Sequence, residues 1–295
     1  MAEVIESEFC LRFLGTGSAN ARHLGNSSAV LERAGEPVLL IDCGFTVPQR
    51  YEELYGVLPT ALFLTHGHLD HIGGLEGLFY RSLAHVSAPR AQRALTRLYV
   101  PIELVPLVHR RIADQPNTLA EGGTNWWDLF QLIPVSERFW HAGLRFQVGE
   151  ARHHYPGFAY GLGLPGVFYF TGDTRPIPEV LTKFASHGEP VFHDCSLIAN
   201  PSHTGLEDLV REYHTEQRER MVLYHLGSPE EQDRVAARGF RVARDGEAFG
   251  LGHLIVPAAD AAGAAGHAGT TGRTVDDGPL AHDPSPRQVV GDGSG

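Results

Sequence analysis

The sequence predicts an α/β fold in which two sheets pack face to face with helices outside. Three observations carry this expectation. Short strand-like runs come first, helical patterns follow, and strands and helices then recur in the same order. Turn residues separate the runs. The densest chemistry in the chain, Thr65-His66-Gly67-His68-Leu69-Asp70-His71, follows directly on the apolar stretch Ala61-Leu62-Phe63-Leu64, as a strand-end loop would.

The elements follow in order. Phe9 to Leu14, Ser28 to Glu32, Val38 to Asp42 and Ala61 to Thr65 are strand-like and are separated by Gly-, Pro- or Asn-containing turns. Helical patterns appear around Leu75 to Leu83 and Arg90 to Tyr99. Residues 101–143 hold Trp126, Trp127 and Trp140 among prolines and glycines, and are expected to form an irregular insertion or lid. Leu144, Phe146 and Val148 alternate like a strand, and Val167 to Phe170 is a short buried run before Gly172-Asp173-Thr174. Pro178 opens a helix that Gly188 is expected to close. Val191-Phe192 and Met221 to Leu223 are later strands. Thr204 is placed as a helix cap with Glu207 returning to its backbone, and Leu206, Leu209, Val210 and Tyr213 form the apolar face. No solenoid repeat is evident.

Apolar content of 42% and charged content of 20% are those of an ordinary globular chain. No secretory signal or bilayer-length apolar run is visible, so a cytoplasmic protein without membrane partners is expected. Three scattered cysteines, Cys10, Cys43 and Cys195, make neither a disulfide framework nor a thiolate zinc site. The formal charge of -11, from 35 acidic against 24 basic residues, disfavours long polyanionic partners. From Ala258 onward the chain is rich in Gly, Ala, Pro and Asp, so residues 1–257 are expected to be the catalytic body and 258–295 a disordered tail. His267 and His282, inside that tail, are discounted as ligands.

Three imidazoles and a carboxylate within six residues point to divalent metal. Residues two apart in extended chain face the same way, so His66 and His68 can share one ion while Asp70 and His71 face a second. Imidazole and carboxylate suit zinc first and manganese second. Asp173 and His225 each follow a strand, where such a site would need them. For a further histidine, strand parity favours His154, and a bulge at Gly149 would reset it to His153.

These motifs resemble the metallo-β-lactamase superfamily, and in particular its ribonuclease Z-like branch. The resemblance rests on the Thr65–His71 run, Phe13-Leu14-Gly15-Thr16-Gly17-Ser18, Asn26-Ser27-Ser28, Ile41-Asp42-Cys43-Gly44, Phe170 to Pro176, His193-Asp194-Cys195-Ser196, Ser202-His203-Thr204 and Leu223-Tyr224-His225-Leu226. It implies a four-layer αβ/βα sandwich with two ions between the sheets. His66, His68 and His153 would hold one, Asp70, His71 and His225 the other, and Asp173 would bridge them. Pro156 and Tyr160 match the family spacing from His153, which leaves His154 as a neighbour or substrate contact. The family also implies that His203, steadied by Asp194, contacts or protonates the scissile phosphate. The branch usually carries glutamate where Asp194 stands.

The expected reaction is hydrolysis of a phosphodiester by a metal-bridging hydroxide, with Asp70 orienting it and His203 serving the leaving oxygen. Only His154 to Gly172 lies between His153 and Asp173, which leaves no room for the branch's tRNA-binding arm. A small phosphodiester or cyclic nucleotide is therefore expected in place of tRNA. Rival readings are a lactonase, thioesterase or other acyl hydrolase, a ribonuclease for short or unstructured RNA, and a non-catalytic metal-stabilised binding protein. A homodimer is the assembly to test.

Overall fold

The structure is a computed structural model that describes residues 7–84, 95–114 and 124–254. All of them belong to one compact unit, Met1–Ile255. The tail at 258–295 lies outside the described residues, as do positions 90–94 of the run expected to be helical.

The chain begins with β1 (Phe9–Gly15), β2 (Ser28–Arg33) and β3 (Glu36–Ile41), then α1 (Val47–Tyr55). β4 (Ala61–Phe63) leads into the short α2 (Leu69–Ile72) and α3 (Gly74–Ala84). Next come β5 (Thr96–Pro101), α4 (Val105–Val108) continued by a π-turn at His109–Ala113, and β6 (Phe130–Val135). The second half holds β7 (Arg138–His141), β8 (Leu144–Glu150), β9 (Tyr160–Leu164) and β10 (Phe168–Phe170). It continues with α5 (Pro178–Phe184), β11 (Val191–Asp194), α6 (Leu206–Glu212) and α7 (Thr215–Glu219). β12 (Met221–Tyr224), α8 (Pro229–Ala237), β13 (Arg241–Val242) and β14 (Ala248–Gly250) end it.

These strands make two seven-stranded sheets, ordered β14-β1-β2-β3-β4-β5-β6 and β13-β12-β11-β10-β9-β8-β7. Three apolar clusters define the layers. Phe13, Phe63, Phe146, Phe170, Phe192 and Phe249 meet between the sheets. The outer face of the first sheet packs on Val47, Tyr51, Leu75 and Phe79 of its helices, and that of the second on Leu181, Leu206, Leu209 and Val235. This is the αβ/βα sandwich that the sequence predicts. Among the described residues no helix is long and apolar enough to cross a membrane.

Four local expectations change. Residues 96–99 are strand rather than helix, because Thr96, Leu98, Tyr99 and Val100 lie buried between β4 and β6 as parallel partners. Alternation in that run is masked because Leu98 and Val100 are buried on one face and Tyr99 on the other, with Arg97 exposed. The 101–143 stretch divides: its second half forms β6 and β7, one edge strand of each sheet, while Trp126 is fully buried and stacks on Phe130 with centroids 4.0 Å apart. α6 starts one residue later than a Thr204 cap implies. The Gly205 N–H donates to Asp208 Oδ2 at 3.0 Å, Thr204 donates instead to the Thr174 carbonyl at 2.8 Å, and Val210 faces solvent. Gly188 is a left-handed turn residue, but α5 has already ended at Phe184.

Gly149 is no bulge, since β8 runs in register with β9 from Gln147 to Glu150. It makes room for Tyr169: a Cβ on Gly149 would lie 2.5 Å from the Tyr169 hydroxyl oxygen, and one on Gly161 would lie 2.6 Å from it. That packing explains how the glycine-rich run Tyr160–Leu164 serves as a strand.

Candidate metal centre

In open α/β sheets, ligands sit beyond the carboxyl ends of the parallel strands. Here the ends of β3 and β4 on one sheet, and of β10, β11 and β12 on the other, converge on one cluster. His66, His71, His153 and His225 each arrive with Nδ1 already facing a partner. Asp42, just past β3, accepts the Thr65 N–H at 2.8 Å and the Thr65 hydroxyl at 2.6 Å, and its Oδ2 lies 2.7 Å from His71 Nδ1. A carboxylate accepts, so His71 carries its proton on Nδ1 and presents a bare Nε2. The Thr65 hydroxyl, already donating to Asp42, can only accept from His66 Nδ1 at 3.1 Å, which leaves His66 Nε2 bare as well. Two strand ends thus orient one turn, and Gly44 lets them meet: a Cβ there would sit 2.0 Å from the Asp70 carbonyl oxygen.

The second sheet contributes from separate loops. His153 follows β8 and donates from Nδ1 to the Ser202 carbonyl at 2.9 Å; its Nε2 lies 3.1 Å from His68 Nδ1. Asp173 follows β10. Asp194, the last residue of β11, accepts the Thr174 N–H at 2.8 Å and His203 Nδ1–H at 2.9 Å. His225 follows β12 with φ +73, a left-handed conformation that is costly for a residue with a Cβ. Its N–H donates to the Thr16 carbonyl at 2.8 Å, so the glycine loop after β1 holds that turn in place.

Asp173 is the hub. Its Oδ2 lies 3.2 Å from His225 Nε2, 3.4 Å from His71 Nε2, 3.7 Å from His66 Nε2, 3.8 Å from His153 Nε2 and 4.0 Å from His203 Nδ1. Asp70 Oδ2 lies 3.4 Å from His71 Nε2 and 3.7 Å from His225 Nε2. Donor atoms fall within 4.8 Å of one another in overlapping groups: His66, His68, His153 and His154; His66, His71 and Asp173; Asp70, His71 and His225. His66 Nε2, His71 Nε2, His225 Nε2 and Asp173 Oδ1 are buried with no hydrogen-bond partner among the described residues. Buried polar atoms left bare are costly. Divalent metal bound among these atoms would satisfy them, and the donor set is the imidazole and carboxylate mixture that zinc and manganese accept. This is a divalent-metal site of a metal-dependent hydrolase.

The electrostatics divide along the same lines. Burial lowers His66, His68 and His153, which favours neutral imidazoles able to coordinate. Burial also opposes charge on His225, but Asp173 and Asp194 outweigh it and raise that imidazole to about 10. For Asp173 burial alone would raise the carboxyl; His225, His71 and His66 outweigh it and hold it well below the usual range. Burial opposes protonation of His203, and the hydrogen bond and charge of Asp194 reverse that and raise it.

Every residue that the sequence places in the site is present in this cluster. His153 is buried, whereas His154 is exposed with its ring centroid 4.4 Å from that of His68. His153 lies three residues beyond the end of β8, so strand parity does not govern it. Sequence reasoning assigned no role to Asp42, Thr65 or the Ser202 carbonyl, which orient ligands without touching the centre. A cleft of about 470 Å³ opens above the cluster, lined by Asn20, His68, Asp173, Asn200 and His203 among others. Asn200 Oδ1 accepts the N–H groups of Ser202 and His203 at 2.9 and 3.0 Å, fixing the loop that carries His203.

Solved structures share this architecture. A diphosphatase of the PhnP family superposes with a TM-score of 0.66 at 18% identity, over 84% of this chain and all of that one. The metallo-β-lactamase fold protein YhfI of Bacillus subtilis gives 0.59 at 15% identity, over 82% and 99%. The fold is therefore that of the metallo-β-lactamases. In sequence, the anti-Pycsar protein Apyc1 of Paenibacillus xerothermodurans is 30% identical over 75% of this chain and 89% of its own length. The family model described as anti-Pycsar protein Apyc1 matches residues 9–249, from the first strand to the last. The chain belongs to the anti-Pycsar Apyc1 family.

Proposed function

We propose that the protein is a dinuclear phosphodiesterase for small phosphodiesters, cyclic nucleotides foremost. The observation that carries this reading is the single carboxylate oxygen of Asp173 set among imidazoles from both sheets. His66, His68 and His153 would hold one ion and Asp70, His71 and His225 the other, with Asp173 available to both; zinc is the first candidate and manganese the second. Such ions supply Lewis acidity toward phosphoryl oxygens and a water nucleophile at neutral pH.

The protein's own groups do the rest. Asp70, at the mouth of the centre, orients the attacking water. His203 is pinned through Nδ1 by Asp194, so Nε2 is the atom free to hand a proton to the departing alkoxide. The raised proton affinity of His203 keeps that proton available. The cleft volume is that of a small-molecule site. The stretch 154–172 is taken up by a turn, β9, β10 and the short link to Asp173, which supports a mononucleotide in place of tRNA. As a family member, the chain would act against Pycsar, for which the family is named.

Metal analysis of the purified protein, with His68→Ala and Asp173→Ala beside it, tests the ligand assignment; unchanged metal content in both variants sinks it. A parallel turnover screen of cyclic nucleotides, short RNA, lactones and thioesters tests the substrate. Turnover of cyclic nucleotides is expected, and acyl turnover without phosphodiester turnover overturns the reading.

A further inference from the structure

We propose that a second pocket, beside the metal centre, seats the heteroaromatic base of the substrate, with Tyr155 and Phe158 stacking on its faces. This rests on the cyclic-nucleotide reading above. The pocket holds about 310 Å³ and is lined by His68, Leu107, Arg111, His154, Tyr155 and Phe158. His68 also lines the catalytic cleft, so the two spaces meet at a residue of the metal loop.

Two large rings stand exposed here, Tyr155 at 82% and Phe158 at 39%, in the turn between buried His153 and buried Ala159. The turn that presents them is well braced. The Phe158 N–H donates to the Tyr155 carbonyl at 3.2 Å, and the Gly157 N–H to Glu150 Oε1 at 2.6 Å. The Tyr160 hydroxyl reaches both the Gly157 carbonyl at 3.0 Å and Glu103 Oε2 at 2.7 Å, which ties this turn to the segment carrying Leu107 and Arg111. That segment is fastened in turn to the metal loop: Arg111 Nη1 donates to the Gly67 carbonyl at 2.7 Å, and a Cβ on Gly67 would lie 2.2 Å from Leu107 Cδ2. Rings carried on a braced turn stack on a base with the backbone already in place. Arg111 and His154 add N–H donors suited to the ring's carbonyl and nitrogen edge. Of the tryptophans in 101–143, Trp126 is packed on Phe130 in the core and Trp127 is stacked on His109.

The test compares two substrates, a nucleoside 3′,5′-cyclic phosphate and the base-free methyl riboside 3′,5′-cyclic phosphate. The variants are Tyr155→Ala, Phe158→Ala and, as a remote control, Trp140→Ala. Each pocket variant should lower the ratio of kcat/KM for nucleotide over base-free substrate by on the order of tenfold, mainly through KM. Calorimetric binding of a cyclic nucleoside phosphorothioate should weaken by a similar factor, and Trp140→Ala should shift neither. An unchanged ratio, an equal loss on both substrates, or a change of oligomeric state in Tyr155→Ala by sedimentation overturns the base-pocket assignment. Wild-type protein that turns over neither compound overturns the cyclic-nucleotide reading itself, and this assignment with it.

Discussion

The two sheets share one plan of connections but serve the metal centre in different ways. In the first, β14, β1, β2 and β3 run antiparallel and β4, β5 and β6 follow in parallel; in the second, β7 to β10 run antiparallel and β11 to β13 follow in parallel. The fourth strand of each series, β3 or β10, leads to an aspartate. Asp42 after β3 turns away from the centre and holds Thr65 and His71, while Asp173 after β10 becomes the centre's hub. The first sheet delivers His66, His68, Asp70 and His71 from one turn governed by a single support. The second delivers one group per loop: the Ser202 carbonyl steadies His153, while Asp194 faces both His203 Nδ1 at 2.9 Å and His225 Nδ1 at 3.3 Å. Equivalent positions in a repeated topology thus differ: one aspartate orients its neighbours and the other sits among the cluster's imidazoles.

The largest effect should come from breaking the hub. Asp173→Ala removes the one carboxylate common to both halves and leaves clustered imidazoles without an anion between them. We expect kcat/KM to fall on the order of 10³-fold with loss of bound metal, read by turnover and elemental analysis. Retained metal with near-normal turnover would show that the two halves bind independently.

Next in size is His203→Ala, a change on the second sheet alone. Metal content should hold, because His203 bonds through Nδ1 to Asp194. Turnover of an alkoxide-leaving diester should fall about 10²-fold, with a smaller loss for a p-nitrophenolate leaving group that needs no proton. Equal losses on both substrates would assign His203 to binding rather than proton transfer.

Asp42→Asn probes the first sheet's support. Asn tolerates the left-handed φ of +60 at this position and can still accept the Thr65 N–H, but its amide nitrogen cannot accept from His71 Nδ1. Metal affinity should weaken by roughly 10- to 100-fold, measured by competition with a chelator. No change would mean that the turn itself, rather than Asp42, fixes His71.

The same division explains what could be read from the sequence. The first half of the site was legible because its donors are contiguous, and Thr65 to His71 announce themselves by density. His153, Asp173 and His225 are single residues beyond strand ends, weak signals until the motif order of a family resemblance joined them. Asp42 and Ser202 escaped because support by a carboxylate or a carbonyl has no compositional signature. Tyr155 and Phe158 escaped because aromatics within six residues of a ligand look like ordinary core. The Thr96–Pro101 strand was misread since burial on both faces erases the alternation that separates strand from helix.

The smallest effect tests packing rather than chemistry. Gly161 in β9 and Gly149 in β8 both face the Tyr169 ring, and added methyl groups there would press on its hydroxyl oxygen at 2.6 and 2.5 Å. At Gly161 the Phe170 carbonyl oxygen, at 2.7 Å, closes the other side, so the methyl group has no free direction. Gly161→Ala should therefore destabilise by about 1–3 kcal/mol through overpacking. For a domain of this size that lowers Tm by several degrees, about 2–4 °C for each kcal/mol. Tyr169→Phe, which removes the obstructing hydroxyl and leaves the ring, should restore part of the loss in the double variant. Strictly additive effects would mean that the backbone around Phe170, and not Tyr169, demands glycine at this position. Metal content should remain unchanged throughout, since β9 supports the second sheet without contributing a donor.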